Sequence, residues 1–286
     1  MVPLALATSL LWGLADFGGG LLTRRMPALT VVVISQALAA AVLGVIVVAT
    51  QAWQEAGGRL WFAVAAGLIG PVAMLCFYRA LALGPMGVVS PLAGTAVAVP
   101  IGVALFLGER PDTAQYTGIL IAFTGVILAG GPEFRGAPVR RQAMTYTLVA
   151  AFGFGATLAL IAEASTTVTG LFLALFVQRV CNVVTGGAAL FVSARRGSPV
   201  LPEGGRAVVM SAMPALTFVG LADVAANATY ALAARIGPVT VAAVLASLYP
   251  VVTTLAALGV LRERLRAVQA AGAGLAVAGT LLLGSG

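Results

Sequence analysis

The chain of 286 residues contains no histidine, and its sixteen basic residues are all arginine, so lysine is absent as well. Without lysine there is no Walker A glycine-lysine loop, which excludes ATP-driven transport within this chain. Without histidine, imidazole can neither relay protons nor ligate metal. Cysteine is scarce. Cys76 and Cys181 both fall inside long apolar runs, so neither a disulfide framework nor a thiolate metal site is expected. No cofactor and no metal is called for. Charged residues make up only 9% of the chain, where a soluble domain carries about 25%. A water-soluble globule of this length has too little polar surface at that composition.

Apolar sequence takes the place of charge. Hydrophobic residues make up 60% of the chain and the mean hydropathy is +1.06. A spanning helix needs about 20 apolar residues. Ten runs meet or approach that length: 2–22, 29–50, 60–83, 86–107, 114–130, 143–162, 168–193, 207–236, 239–261 and 267–283. The runs are continuous rather than alternating, which rules out a transmembrane β-barrel. The first run lacks a basic n-region and is long, so it reads as a retained helix rather than a cleaved leader. The expected fold is therefore all-α and integral to the membrane, with ten transmembrane helices. The net charge of +7 belongs to arginines at helix ends and in loops, so it reads as membrane topology and not as nucleic-acid binding.

The sequence also repeats itself. Trp12-Gly13 falls on Phe154-Gly155, Gln36 on Gln178 and Gly44 on Gly186, all at an offset of 142. Gly84-Pro85 falls on Gly237-Pro238 at 153. Glu109-Arg110 falls on Glu263-Arg264, Gln115 on Gln269, Gly118 on Gly272 and Gly125 on Gly279 at 154. Two units follow, 1–131 and 143–286, each of five helices. An odd number of spans inserts the second unit upside down. Inverted-topology repeats of this kind are common in secondary transporters, whose sites lie near midplane between the repeats.

Each half resembles the EamA-type domain of the drug/metabolite transporter superfamily. The resemblance rests on Trp12-Gly13 in the first span and on the run Phe77-Tyr78-Arg79-Ala80-Leu81 ending the third. It rests also on the Gly-Pro that opens the fourth and on Leu107-Gly108-Glu109-Arg110, answered by Leu261-Arg262-Glu263-Arg264. It implies a ten-helix exporter of metabolites or drugs in the inner or plasma membrane. Such proteins resemble fused pairs of small multidrug resistance transporters with one helix added per half. The paired glycines Gly118/Gly125 and Gly272/Gly279 look like the dimer face of those smaller proteins and predict that spans five and ten pack together. The chain is then a monomer with an internal pseudo-dimer.

Ionisable and polar groups inside the spans are the functional candidates. Asp16 sits about two-thirds along the first span, where the first-helix carboxylate of small multidrug resistance proteins binds proton and cation in alternation. Its repeat position is Leu158, so the site is not doubled. Arg179 lies mid-span in the seventh run, bordering a face shared by Gln178 and Asn182. A buried guanidinium needs an acceptor; Asp223, Asp16, Glu163 or a substrate carboxylate would serve. Asp223, Asn227 and Tyr230 form one stripe on the eighth span. The expected substrate-binding set is Trp12, Gln36, Tyr78, Gln178, Arg179, Asn182, Asn227, Tyr230 and Tyr249, with Asp16 or Asp223 carrying the proton. Pro91, Pro100 and Pro250 are the expected kinks. Arg79, Glu163, Glu109 and Glu263 lie at helix ends, where snorkelling, interfacial or capping roles are expected.

This reading is a proton-coupled secondary exporter of a small amino-acid-like metabolite or drug, working by alternating access. The rival is a pH-independent uptake permease or facilitator for sugars or other neutral solutes. The chain lacks a metal spacing or nucleophile motif that would suggest an enzyme. Its partners are a small-molecule substrate and the lipid bilayer. Arginine is concentrated in the odd-numbered loops, which places both termini outside, whereas the family resemblance implies both inside.

Overall fold

The computed structural model describes residues 1–23, 25–83, 93, 96, 98–129, 141–261 and, in the last span, 267–268, 271–272, 274–275, 278–279 and 282. Among the described residues the structure is helical, without strands. The helices are α1 (Val2–Thr23), α2 (Ala28–Ala49), α3 (Leu60–Leu83), α4 (Ala98–Phe106), α5 (Thr113–Ala129), α6 (Arg141–Glu163), α7 (Val168–Arg195), α8 (Gly205–Ser211), α9 (Met213–Ile236), α10 (Val239–Ala246) and α11 (Tyr249–Leu261). Six of them, α1, α2, α3, α6, α7 and α9, contain a stretch long and apolar enough to cross a membrane. Large apolar side chains also stand on the outer surface of the helices. Trp61, Phe106, Leu120, Phe152 and Val184 are all exposed, which suits hydrocarbon and not water as the surrounding solvent.

The expected ninth span, 239–261, is not one helix but two, α10 and α11. Proline at position 250 cannot donate to the carbonyl four residues back, that of Ala246, and α10 stops at that residue. Ser247 and Leu248 close the turn through N–H bonds to the carbonyls of Ala243 and Leu245 at 3.0 and 3.3 Å. The eighth run, 207–236, is longer than a crossing needs, which puts the expected start of its helix nearer Ser211, and α9 starts just beyond that residue. Pro91 lies outside the described residues, and Pro250 is described in its backbone alone. Pro100 is buried in the first turn of α4.

The helices pack crosswise between the two sequence units. The most extensive contacts join α1 to α9, α3 to α6 and α2 to α7. At the α1–α9 pair, Met1 lies against Gly237, so the start of one helix meets the end of the other. Close approaches at glycine recur at positions that the internal repeat relates. A methyl group on Gly13 would collide with Val252 and the carbonyl of Tyr249, and one on Gly155 with Val99 and the carbonyl of Ala96. Val99 and Val252, like Ala96 and Tyr249, are 153 residues apart. Gly67 meets Cys181 and the backbone of Gln178, while Gly220 meets Ala39 and the backbone of Ser35. Backbones this close leave no room for Cβ, so only glycine fits. In the last span, Gly279 meets the backbone of Ala122 on α5, as the glycine spacing predicts for spans five and ten.

The resulting core is built mainly from small side chains. One cluster gathers Ala5, Ala122, Tyr230, Ala233 and residues 241–246 of α10. A second gathers Ala39, Leu43, Ala66, Ile161, Leu171 and Leu175.

Candidate functional site

Four helices, α1, α2, α7 and α9, bring polar side chains to one point. From α7, Arg179 is 97% buried (3% exposed). Its Nη1 donates to Asp223 Oδ2 on α9 at 2.8 Å and to Gln36 Oε1 on α2 at 2.6 Å. Gln36 then donates through Nε2 to the same Asp223 oxygen at 3.0 Å. Asn182, one turn beyond Arg179, donates to Gln36 Oε1 at 3.3 Å. The other carboxylate oxygen, Asp223 Oδ1, accepts from Trp12 Nε1 of α1 at 3.1 Å and from Asn227 Nδ2 at 3.2 Å. Asp223 thus accepts four donors from four helix positions, and its charge is matched by Arg179. A buried charge that is both paired and hydrogen-bonded in this way is tolerated in low dielectric.

The surrounding helices explain the geometry. Asn227 Nδ2 also donates to the Asp223 carbonyl at 2.8 Å, which ties both side chains of the α9 stripe together. Gly13, beside Trp12, lets α11 approach α1, and Thr253 Oγ1 donates to the Gly13 carbonyl at 3.1 Å. The rings of Tyr230 and Tyr249 both lie near the Trp12 indole, each with its centroid 6.2 Å away. Tyr230 is fully buried. Asp16, one turn past Trp12 on α1, is exposed.

Arg179, Gln36, Asn182, Asn227, Trp12 and Asp223 therefore converge. Among the described residues no hydrogen bond brings Gln178 into this network; it is buried with its backbone against Gly67. The side chain of Tyr78 lies outside the described residues. Of the acceptors considered for Arg179, the structure selects Asp223. Glu163 instead pairs with Arg59 at 3.2 Å, with both side chains about half exposed. Arg79 reaches the Tyr146 ring, 6.0 Å from its centroid.

One arrangement was legible only as a helix-end role. Gly108 has φ 103°, and the N–H groups of Gly108 and Glu109 bond the carbonyls of Leu105 and Ala104 at 3.1 and 3.0 Å. This Schellman closure ends α4 and aims Glu109 across to the second half. There its Oε1 accepts from Thr240 Oγ1 at 2.7 Å and from Thr240 N–H at 3.4 Å, capping the start of α10. Arg110 turns back and caps the carbonyls of Leu105 and Glu109. Among the described residues no group of three or more Cys, Asp or Glu side chains is placed to hold a metal.

Known proteins show the same architecture. A crystal structure described only as that of a protein superposes with a TM-score of 0.74 at 17% identity, covering 98% of this chain and 94% of that one. A Sinorhizobium protein named as an uncharacterized transporter in the cobO 3'region is 36% identical over 92 residues, which is 30% of this chain and 65% of that relative's length. The model of the EamA-like transporter family matches residues 1–131 and 141–285. With both halves matched and apolar helices that suit a bilayer, the chain is a multi-pass membrane protein and belongs to the EamA-like transporter family.

Proposed function

We propose that the protein is a proton-coupled secondary exporter of a small metabolite or drug, built as two inverted five-helix repeats and working by alternating access. The observation that carries this reading is the Arg179–Asp223–Gln36 network, which joins α7, α9 and α2 around a buried Arg179. Charged groups at such depth are costly and persist where a pathway uses them. The crosswise helix pairing and the matched glycine contacts support the repeat. In the first half Glu109 reaches over to cap α10 of the second, a contact that rocking of the halves would break and remake.

Asp16 is the better proton carrier of the two carboxylates. Asp223 is engaged by Arg179 and three further donors. Asp16 is exposed, and among the described residues nothing donates to it. Trp12, Tyr230 and Tyr249 would line the apolar side of the substrate. The neutral-solute facilitator keeps one observation in its favour: Arg179 and Asp223 cancel each other's charge, leaving the buried acceptors Gln178 Oε1 and Asn182 Oδ1 for uncharged hydroxyls. Flux in proteoliposomes separates the two readings. The exporter responds to an imposed pH gradient and loses that response in Asp16→Asn; the facilitator ignores the gradient.

A further inference from the structure

Arg179 uses only Nη1 for Asp223 and Gln36. Its Nε and Nη2 are buried, and among the described residues neither has a partner. These two N–H groups point the same way and form the side-on edge of the guanidinium, the fork that matches a carboxylate bidentately. Within the same turn of α7, Gln178 Oε1 and Asn182 Oδ1 are buried acceptors, also without a partner among the described residues. Four unmatched polar atoms therefore lie within five residues of one helix, two donors on a cation and two neutral acceptors. Asn182 Oδ1 faces α3 at Gly70, where a methyl group would sit 3.5 Å from it. Each such atom costs free energy when buried without a partner, so the set is organised for something that supplies the complementary groups.

The geometry points to a carboxylate subsite: the Nε/Nη2 edge of Arg179 receives a substrate carboxylate, and Asn182 Oδ1 and Gln178 Oε1 accept from a hydroxyl or amino group next to it. The substrate class is an α-hydroxy or α-amino acid. This rests on the transporter reading and narrows its substrate. A cationic drug lacks the group that the fork takes. Asp223 keeps Nη1 occupied, which holds the edge in one orientation while the ligand binds. Arg179 is here a specificity-determining residue and Asp223 a positioning residue.

The test is calorimetric titration of the full chain in lipid nanodiscs with three probes: 2-hydroxy-4-methylpentanoate, 4-methylpentanoate and 4-methylpentanamide. A charge-assisted bidentate contact is strong enough to favour the acids over the amide by about tenfold or more. The 2-hydroxy acid should exceed the plain acid by several-fold. Arg179→Lys, which keeps the charge and loses the fork, should cut the acid preference several-fold. Asn182→Ala should erase the preference for the hydroxyl and spare that for the acid. The inference is overturned if the unmodified protein binds acid and amide alike, if it binds none of the three, or if Arg179→Lys leaves the acid preference undiminished. The wild-type ligand series decides the matter even if a variant does not fold. Flux under a pH gradient is read separately: acid-selective binding without flux sinks the exporter reading alone, and flux without acid selectivity sinks this inference alone.

Discussion

Arg179 on α7 and Asp223 on α9 meet at 2.8 Å, and Gln36 on α2 bonds both. The three residues come from parts of the chain far apart in sequence, and the network closes only when α2, α7 and α9 are docked. Removing one partner leaves the other charge buried. Asp223→Ala should therefore cost about 3–5 kcal/mol of stability. The double change Arg179→Gln with Asp223→Asn should recover much of that loss. Thermal unfolding in detergent measures both, and additive losses would mean that the two side chains do not depend on each other.

Gly13 and Gly155 stand at equivalent points of the two units and meet equivalent residues. Alanine at either position forces a methyl group into a packed backbone, an overpacking worth about 1–3 kcal/mol. The two substitutions should destabilise to a similar degree. Gly20→Ala and Gly187→Ala meet no atom within 4 Å and should leave the unfolding temperature near that of the parent. Unequal effects at Gly13 and Gly155 would argue against a structural repeat.

Glu109 caps α10 through Thr240. Glu109→Ala should destabilise by about 1 kcal/mol, the usual worth of a helix cap. In a Thr240→Val background the same substitution should cost less, because the hydroxyl bond is already gone. Equal costs in both backgrounds, measured by a double-mutant cycle, would deny the contact.

Arg59 and Glu163 are also paired at 3.2 Å, but both are about half exposed. Exposed pairs contribute about 0–1 kcal/mol and are screened by salt. Glu163→Ala should shift the unfolding temperature far less than Asp223→Ala, and high salt should erase what remains. The contrast separates an ion pair that the fold needs from one that the surface tolerates.

Helix order and most helix limits were legible in the sequence, because long apolar runs leave little alternative. The third span, 60–83, coincides with α3. The break at Ser247 was less so: proline at 250 suggested a kink, but only packing shows α10 ending at Ala246. The paired glycines Gly67 and Gly220 carry no distinguishing signal in the sequence, since glycine is common in membrane helices and spacing alone does not say what it meets. At the site, the pairing of Arg179 was narrowed to four acceptors by charge and depth. The choice among them depended on which helices touch, which no local pattern carries. The hub role of Gln36 was likewise hidden, as the repeat showed its counterpart Gln178 but not that only one amide would enter the network.

The most direct test of the account is substrate flux in proteoliposomes under an imposed pH gradient, comparing the parent with Asp16→Asn alone and with Asp16→Asn combined with Asp223→Asn. The parent should drive flux with the gradient, and Asp16→Asn should lose that response while keeping downhill exchange. Unchanged gradient-driven flux in the double variant would contradict proton coupling through these carboxylates.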